Sequence, residues 1–513
     1  MQEMPQVVFD GTPLSAAAIT AIAERRQPSV LSGEPAFVER IDRGAEFIDR
    51  VWQEEGVVYG VTTGYGDSCS VSIPPGLVEE LPQHLYTFHG CGLGDIFDES
   101  ETRAILAARL ASLAQGFSGV RYTLLAQIHL LIEHDVLPVI PKEGSVGASG
   151  DLTPLSYVAA VLAGEREVIH AGRRRPTAEV FGELGIEPIV LRPKETLAIM
   201  NGTAVMTALA CLALERARYL CRLASRITSL SVLALQGNAN HFDPRLFSVK
   251  PHPGQGEVAR RIHDDLGGGD HRRQSSRLQD RYSLRCAPHV VGVLEDSLPW
   301  LTQFIETELN SANDNPIIDP EQERVLHGGH FYGGHITFAM DSLKTAVANV
   351  ADLLDRQLAQ LVDPKFNHGL PANLSGAQGA RRPLNHGFKA VQIGTSAWAA
   401  EALKLTMPAS VFSRSTESHN QDKVSMGTIG ARDCLRVLTL TEQVAAATLI
   451  GTSQGVWLRE RSEEIDVTAT AGVRTTLEEV AAVFPMLIED RPLETTLRDL
   501  LGRIGRREFT LYE

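Results

Sequence analysis

The chain has 513 residues, with 48 Lys and Arg against 63 Asp and Glu, a formal net charge of −15 at pH 7. That balance argues against a general nucleic-acid binder, which needs clustered cations, and against an anionic membrane surface as partner. Hydrophobic residues make up 43%, and six cysteines without a CxxC pair exclude a zinc ribbon or disulfide scaffold, so a reducing, cytoplasmic compartment is expected.

In chain order, the first residues lack the basic and apolar regions of a signal peptide. Residues 57–67, VVYGVTTGYGD, predict a short β run into a turn. Helices are predicted from Glu101 to Gln115, ended by Gly116, and from Tyr122 to His134, ended before Pro138. A Gly-rich loop follows at 138–156, and the next helix starts at Thr153-Pro154, with Thr as cap and Pro in the first turn. The apolar window Leu197–Leu214 is broken by Asn201, Gly202, Thr203 and Thr207, which fits a buried helix better than a membrane span. Residues 203–236 hold neither Gly nor Pro and predict a helix of roughly 50 Å. The stretch 267–277, GGGDHRRQSSR, is expected to be a mobile loop. Further helices are predicted at Pro288–Asn310, kinked at Pro299, and at His335–Val362, Lys389–Leu405 and Ala431–Ile450. The expected architecture is mainly α: a mixed α+β N-terminal domain over 1–202 and a long-helix bundle over 203–513.

The segment Gly144-Ser145-Val146-Gly147-Ala148-Ser149-Gly150-Asp151 carries the most chemistry. Glycines allow close backbone approach. The Gly150 amide nitrogen can then attack the Ala148 carbonyl, and loss of two waters, one from Ser149, leaves an electrophilic methylidene. A plain Gly/Ser turn capping a helix is the competing reading of the same residues.

GSVGASGDLTPLS, preceded by YGVTTGYG and followed by NGT, YSLRC, NSANDNP and NQDKVSM, resembles the aromatic amino-acid ammonia-lyase family in motif order along nearly the whole chain. The resemblance implies a fumarase/aspartase-like helical bundle. It also implies a 4-methylidene-imidazol-5-one (MIO) group formed autocatalytically from Ala148, Ser149 and Gly150, with no added cofactor and no metal. It implies a homotetramer with each site assembled from three subunits, acting on a small aromatic amino acid.

The resemblance makes Tyr59 the base for the β-proton, a role that requires nearby positive charge or donated hydrogen bonds. It makes Arg285 the bidentate carboxylate anchor, with Tyr282 beside it on one helical face. Asn201 and Gln421 match amides around the electrophile, and Asn315 and Phe331 match pocket residues. Two positions depart from the family pattern: Tyr65 stands where Phe is frequent, and His330 where Asn is frequent.

Phe88-His89 falls on the two-residue specificity position. Phenylalanine lyases usually have Phe-Leu there, histidine and some tyrosine lyases Ser-His, and other tyrosine lyases His-Leu. His89 argues against plain phenylalanine, since an imidazole pairs with a polar ring. Glu401 matches a family Glu able to pair with an imidazole substrate, and NSANDNPIID is closer to the tyrosine and phenylalanine members. The expectation is elimination of ammonia from L-tyrosine to p-coumarate. L-histidine to urocanate, a 2,3-aminomutase and a non-catalytic helical scaffold are the alternatives.

Two further patterns carry bland readings. Gly451-Thr452-Ser453-Gln454-Gly455 fits G-x-S-x-G, but a helix rather than a strand precedes it. His327, His330 and His335 fit no standard metal-ligand spacing.

Overall fold

The computed structural model describes residues 6–268, 277–464 and 470–512. The loop expected at 267–277 lies almost wholly outside the described residues. The chain forms two compact units, Met1–Glu215 with Leu301–Asp341 and Pro408–Arg432, and Arg216–Trp300 with Ser342–Met407 and Asp433–Glu513. The division therefore differs from the sequential one at 202/203: the first unit takes in two later segments, and both supply residues to the candidate site.

The first unit is mixed α+β. Its strands are short: Val7–Phe9 pairs in parallel with Ser29–Leu31, Leu93–Ile96 pairs antiparallel with Pro141–Glu143, and Glu167–His170 lies between Leu137–Pro138 and Arg173–Pro176. The helix Glu99–Leu113 starts on a capping box in which Asp98 and Glu101 satisfy each other's backbone N–H groups. It is buried on nearly every side. The helix Tyr122–Glu133 follows as expected.

Two local expectations are corrected here. Residues 57–63 form a turn, not a strand: the Val61 and Thr62 N–H groups both donate to the Val58 carbonyl, and Gly60 takes φ +68°. The helix after the Gly-rich loop is Leu152–Leu162, begun by Asp151 rather than capped by Thr153. The Asp151 side chain makes no cap. Its carboxylate is fully buried and accepts from Ser145, Thr428 and the Met206 N–H.

The long helices are Ala204–Ala234, Ala287–Leu309 with Pro299 inside it, Gly334–Val362 and Gly427–Arg461, and residues of both units lie on them. In the second unit, Ser225, Thr228, Ser229 and Ser231 are fully buried in the first of these helices. Each hydroxyl donates to the carbonyl four residues back, and Thr228, Ser229 and Ser231 also bond Gln357 or Asp265 outside the helix. Lys389–Lys404 matches its expectation.

The last long helix exceeds its expected 431–450 span because its glycines serve packing rather than termination. A Cβ at Gly451 would meet Leu358 at 2.5 Å, and one at Gly455 would meet Ala234 at 2.9 Å. Ser453 of the G-x-S-x-G pattern is fully buried mid-helix, so no nucleophile elbow exists there. This is the described helix that is long and apolar enough to cross a membrane by composition, and 78% of its apolar window is buried within the fold.

Candidate active site

A cavity of about 680 Å³ opens in the first unit, and Ala148 and Ser149 line it. The backbone around them is tightly determined. Gly150 has φ +70°, and a Cβ there would meet the Gly202 carbonyl oxygen at 2.0 Å. Only glycine fits that position. The Ser149 carbonyl accepts from the Asn201 side-chain amide at 2.8 Å and from the Gly202 N–H at 3.2 Å. Gln421 Nε2 donates to Ser149 Oγ at 3.2 Å.

Asn201 stands at the end of the helix Pro193–Met200 and holds more than Ser149. Its Oδ1 accepts from the Asn315 N–H at 2.7 Å, and Asn315 Oδ1 accepts from the Gly328 N–H at 2.8 Å. Below it, the guanidinium of fully buried Arg109 donates to the Asn201 carbonyl at 3.0 Å and to Asn313 Oδ1 at 3.2 Å. Burial pushes the Arg109 guanidinium down to about 10, against the opposing charges of Asp314 and Asp151. Arg109 carries no motif, and the sequence reading missed it.

The Tyr59 hydroxyl sits in the same cavity and accepts from the Gly66 N–H at 2.9 Å. Burial raises its pKa above the ordinary tyrosine value; the Gly66 bond lowers it, and Cys69 and Glu417 add to the rise. Of the two features that would suit a base, nearby positive charge or a donated hydrogen bond, the donated hydrogen bond is present. Tyr65 also lines the cavity, and its buried hydroxyl has no hydrogen-bond partner.

Phe88 and His89 end the helix Leu81–Phe88 at the cavity wall, ring centroids 4.2 Å apart. His89 Nδ1 lies 3.0 Å from the Leu85 carbonyl. A carbonyl only accepts, so Nδ1 carries the proton and Nε2 is the acceptor in the neutral ring. Burial lowers the His89 pKa, against the raising effect of the Leu85 bond, and so favours the neutral form.

The residues 14–482 match the family model for aromatic amino acid lyases. The chain belongs to the aromatic amino acid lyase family. It is an enzyme, a carbon–nitrogen lyase. It is 35% identical over 505 residues to the histidine ammonia-lyase of Bacillus velezensis, covering 98% of this chain and 96% of that one. Among solved structures, tyrosine aminomutase from Streptomyces globisporus aligns at 33% identity and TM-score 0.90, covering 98% of each chain. Histidine ammonia-lyase from Trypanosoma cruzi aligns at 31% identity and TM-score 0.89, covering 98% of this chain and 94% of that one. The helical fold expected from the sequence agrees with these neighbours.

Of the residues singled out in this lyase sequence, Tyr59, Phe88, His89, Ala148, Ser149, Asn201, Asn315, Phe331 and Gln421 all line the one cavity. Gly150, next in the chain to Ser149, is not itself part of the lining. Tyr282, Arg285 and Glu401 belong to the second unit and are not part of the lining. There the Arg285 guanidinium stacks over the Tyr282 ring at 4.6 Å and donates to the Asp280 carbonyl. Glu401 accepts from Arg436 at 2.6 Å.

Glu417 was not expected in the lining. It accepts from the Asp67 N–H and from Asn420, and so ties the turn beside Tyr59 to the segment carrying Gln421. Its signal was present, three residues ahead of NQDK, but an exposed loop carboxylate carries no mark of that role.

Proposed function

We propose that this lyase eliminates ammonia from an aromatic L-amino acid whose ring donates a hydrogen bond, L-histidine in the first place, to give the trans-arylacrylate. The observation that carries the reading is the gathering of Ser149, the Tyr59 hydroxyl and the acceptor nitrogen of His89 around one cavity. A phenyl ring offers His89 nothing, while an imidazole N–H or a phenol O–H does. The histidine ammonia-lyases among its relatives favour imidazole over the phenol expected from sequence. L-Tyrosine is the second reading, supported by the similarity to a tyrosine aminomutase and by the fit of a phenol to His89.

The residues present fit an MIO group. Position 150 admits only glycine, and amide donors already converge on Ser149. When formed, this group supplies an electrophile that makes the amino group a competent leaving group. Every other task falls to ordinary side chains. Tyr59 takes the β-proton, and Glu417 is the cavity carboxylate suited to the substrate ammonium. Phe331 and Phe88 flank the ring. Arg285 and Tyr282, from a neighbouring copy in a homotetramer, hold the carboxylate by a two-bond contact. Fixed orientation of base and substrate supplies much of the rate.

Incubation with L-histidine, L-tyrosine and L-phenylalanine separately, followed by absorbance of urocanate, coumarate and cinnamate, tests the reading. Urocanate is expected to dominate; dominant coumarate selects the second reading, and dominant cinnamate refutes both. A β-amino acid in place of the acrylate would identify an aminomutase. Intact mass is expected to be lower than the sequence mass by two waters, and Ser149→Ala is expected to abolish both that loss and turnover.

A further inference from the structure

A tyrosine base has two proton problems. It must lose its phenolic proton before accepting another, and it must then discharge the one it accepts. The hydrogen-bond partner of Tyr59, the Gly66 N–H, only donates. Among nearby groups, the Tyr65 hydroxyl is enclosed, and burial with the Tyr59 charge opposes its ionisation. Glu417 is held by Asp67 and Asn420, and Cys69 opposes Tyr59 ionisation. His89, Asp422 and Lys423 also line the cavity.

His327 is set apart by its ring. It stands edge-on to Tyr59, with centroids 6.1 Å apart and planes at 82°, and on this chain the residue is exposed, at the cavity rim where the proposed neighbouring copy would approach. Its backbone is fixed by the same hydrogen bonds that hold the Ser149 loop. The next residue, Gly328, donates to Asn315, Asn315 donates to Asn201, and Asn201 donates to Ser149. An imidazole changes charge near neutral pH and accepts at one nitrogen while it releases at the other.

We propose that His327 relays protons between the Tyr59 oxygen and solvent across bridging water. The inference rests on the elimination reading given above. In the cycle, neutral His327 takes the phenolic proton and leaves a phenolate beside an imidazolium. The phenolate oxygen takes the substrate β-proton. The electron pair of the broken C–H bond forms the C=C bond, and the C–N pair departs with ammonia. The imidazolium passes its proton to water, and ammonia takes up one proton from solvent, so charge and atoms balance over the turnover.

The test compares His327→Phe, which keeps a ring against Tyr59, with His327→Ala. Both are expected to lose roughly 10- to 100-fold in kcat with KM unchanged. Added imidazole is expected to restore turnover to His327→Ala, in proportion to its free-base concentration, and not to His327→Phe, whose ring fills the space. A fully active His327→Phe overturns the relay, and so does a slow His327→Ala that imidazole does not rescue. A parent enzyme that turns over no aromatic amino acid refutes the elimination reading and the relay with it. A fast parent with an equally fast His327→Phe refutes the relay alone.

Discussion

One backbone bond decides what His89 offers the cavity. Because Leu85 takes the proton on Nδ1, the cavity is offered an acceptor, and burial keeps that acceptor neutral by holding the pKa below the ordinary 6.5. The sign follows directly. At neutral pH the acceptor is present. As pH falls through the depressed folded value, Nε2 gains a proton and the acceptor is lost. The unfolded chain takes up that proton first, so His89 also costs stability as pH drops below 6.5. L-Tyrosine is the clean probe, since its phenol does not titrate in that range. KM for L-tyrosine is expected to rise as acidification passes through that depressed value, while KM for L-phenylalanine stays flat. His89→Leu is expected to remove the difference and to shift kcat/KM toward phenylalanine by about 10- to 100-fold. A flat tyrosine profile in the parent would exclude His89 as the ring's partner. At this scale the sequence singles out Ser149, Tyr59 and His89 because chemistry demands those residue types, and all three line one cavity. It is silent where only the fold brings groups together, as where Glu417 meets Asp67 and His327 meets Tyr59 across chain segments hundreds of residues apart.

At the scale of elements, the helix Glu99–Leu113 supports the site from beneath through Arg109. Its donated bonds to the Asn201 carbonyl, Ser112 and Asn313 leave no solvent substitute if the side chain is removed. Arg109→Met fits the space with a flexible apolar chain but orphans these acceptors. A loss of about 2–4 kcal/mol in stability is expected, read from denaturant midpoints. Asn201 would also lose its fixed position, so the two-water mass loss is expected to become incomplete. Full mass loss at parental stability would show that Asn201 is held without Arg109. The helix itself was legible, with its start misplaced by two residues. Arg109 was not, because a helix buried on nearly all faces shows no polar stripe against which a functional polar residue stands out. The turn at 57–63 was misread as a strand for a related reason. β-Branched valines and threonines with a tyrosine suit a pleated surface, yet tertiary placement and the left-handed Gly60 decide otherwise.

At the scale of the whole molecule, the question is where the carboxylate anchor comes from. The cavity belongs to the first unit, and Arg285 to the second. Tyr282 beside it leaves 72% of its surface exposed, a large exposure for an aromatic ring assigned to a site. The long glycine- and proline-free runs made the helices readable. The repeated crossing of the chain between units was hidden, because no composition break marks it. The proposed assembly of each site from different copies makes a strict prediction for mixtures. Tyr59→Phe and Arg285→Ala are each expected to be inactive alone. Co-expressed in equal amounts with different tags and purified through both, they are expected to give mixed tetramers. If one chain gives a site both residues, every site keeps one defect and activity stays at zero. If different chains supply them, each residue is intact with a chance of one half, and about a quarter of sites recover under random mixing. Turnover near that fraction, absent from the separately purified variants mixed without exchange, would establish the shared site; no recovery in doubly tagged tetramers would place Arg285 and Tyr59 of one chain in the same site.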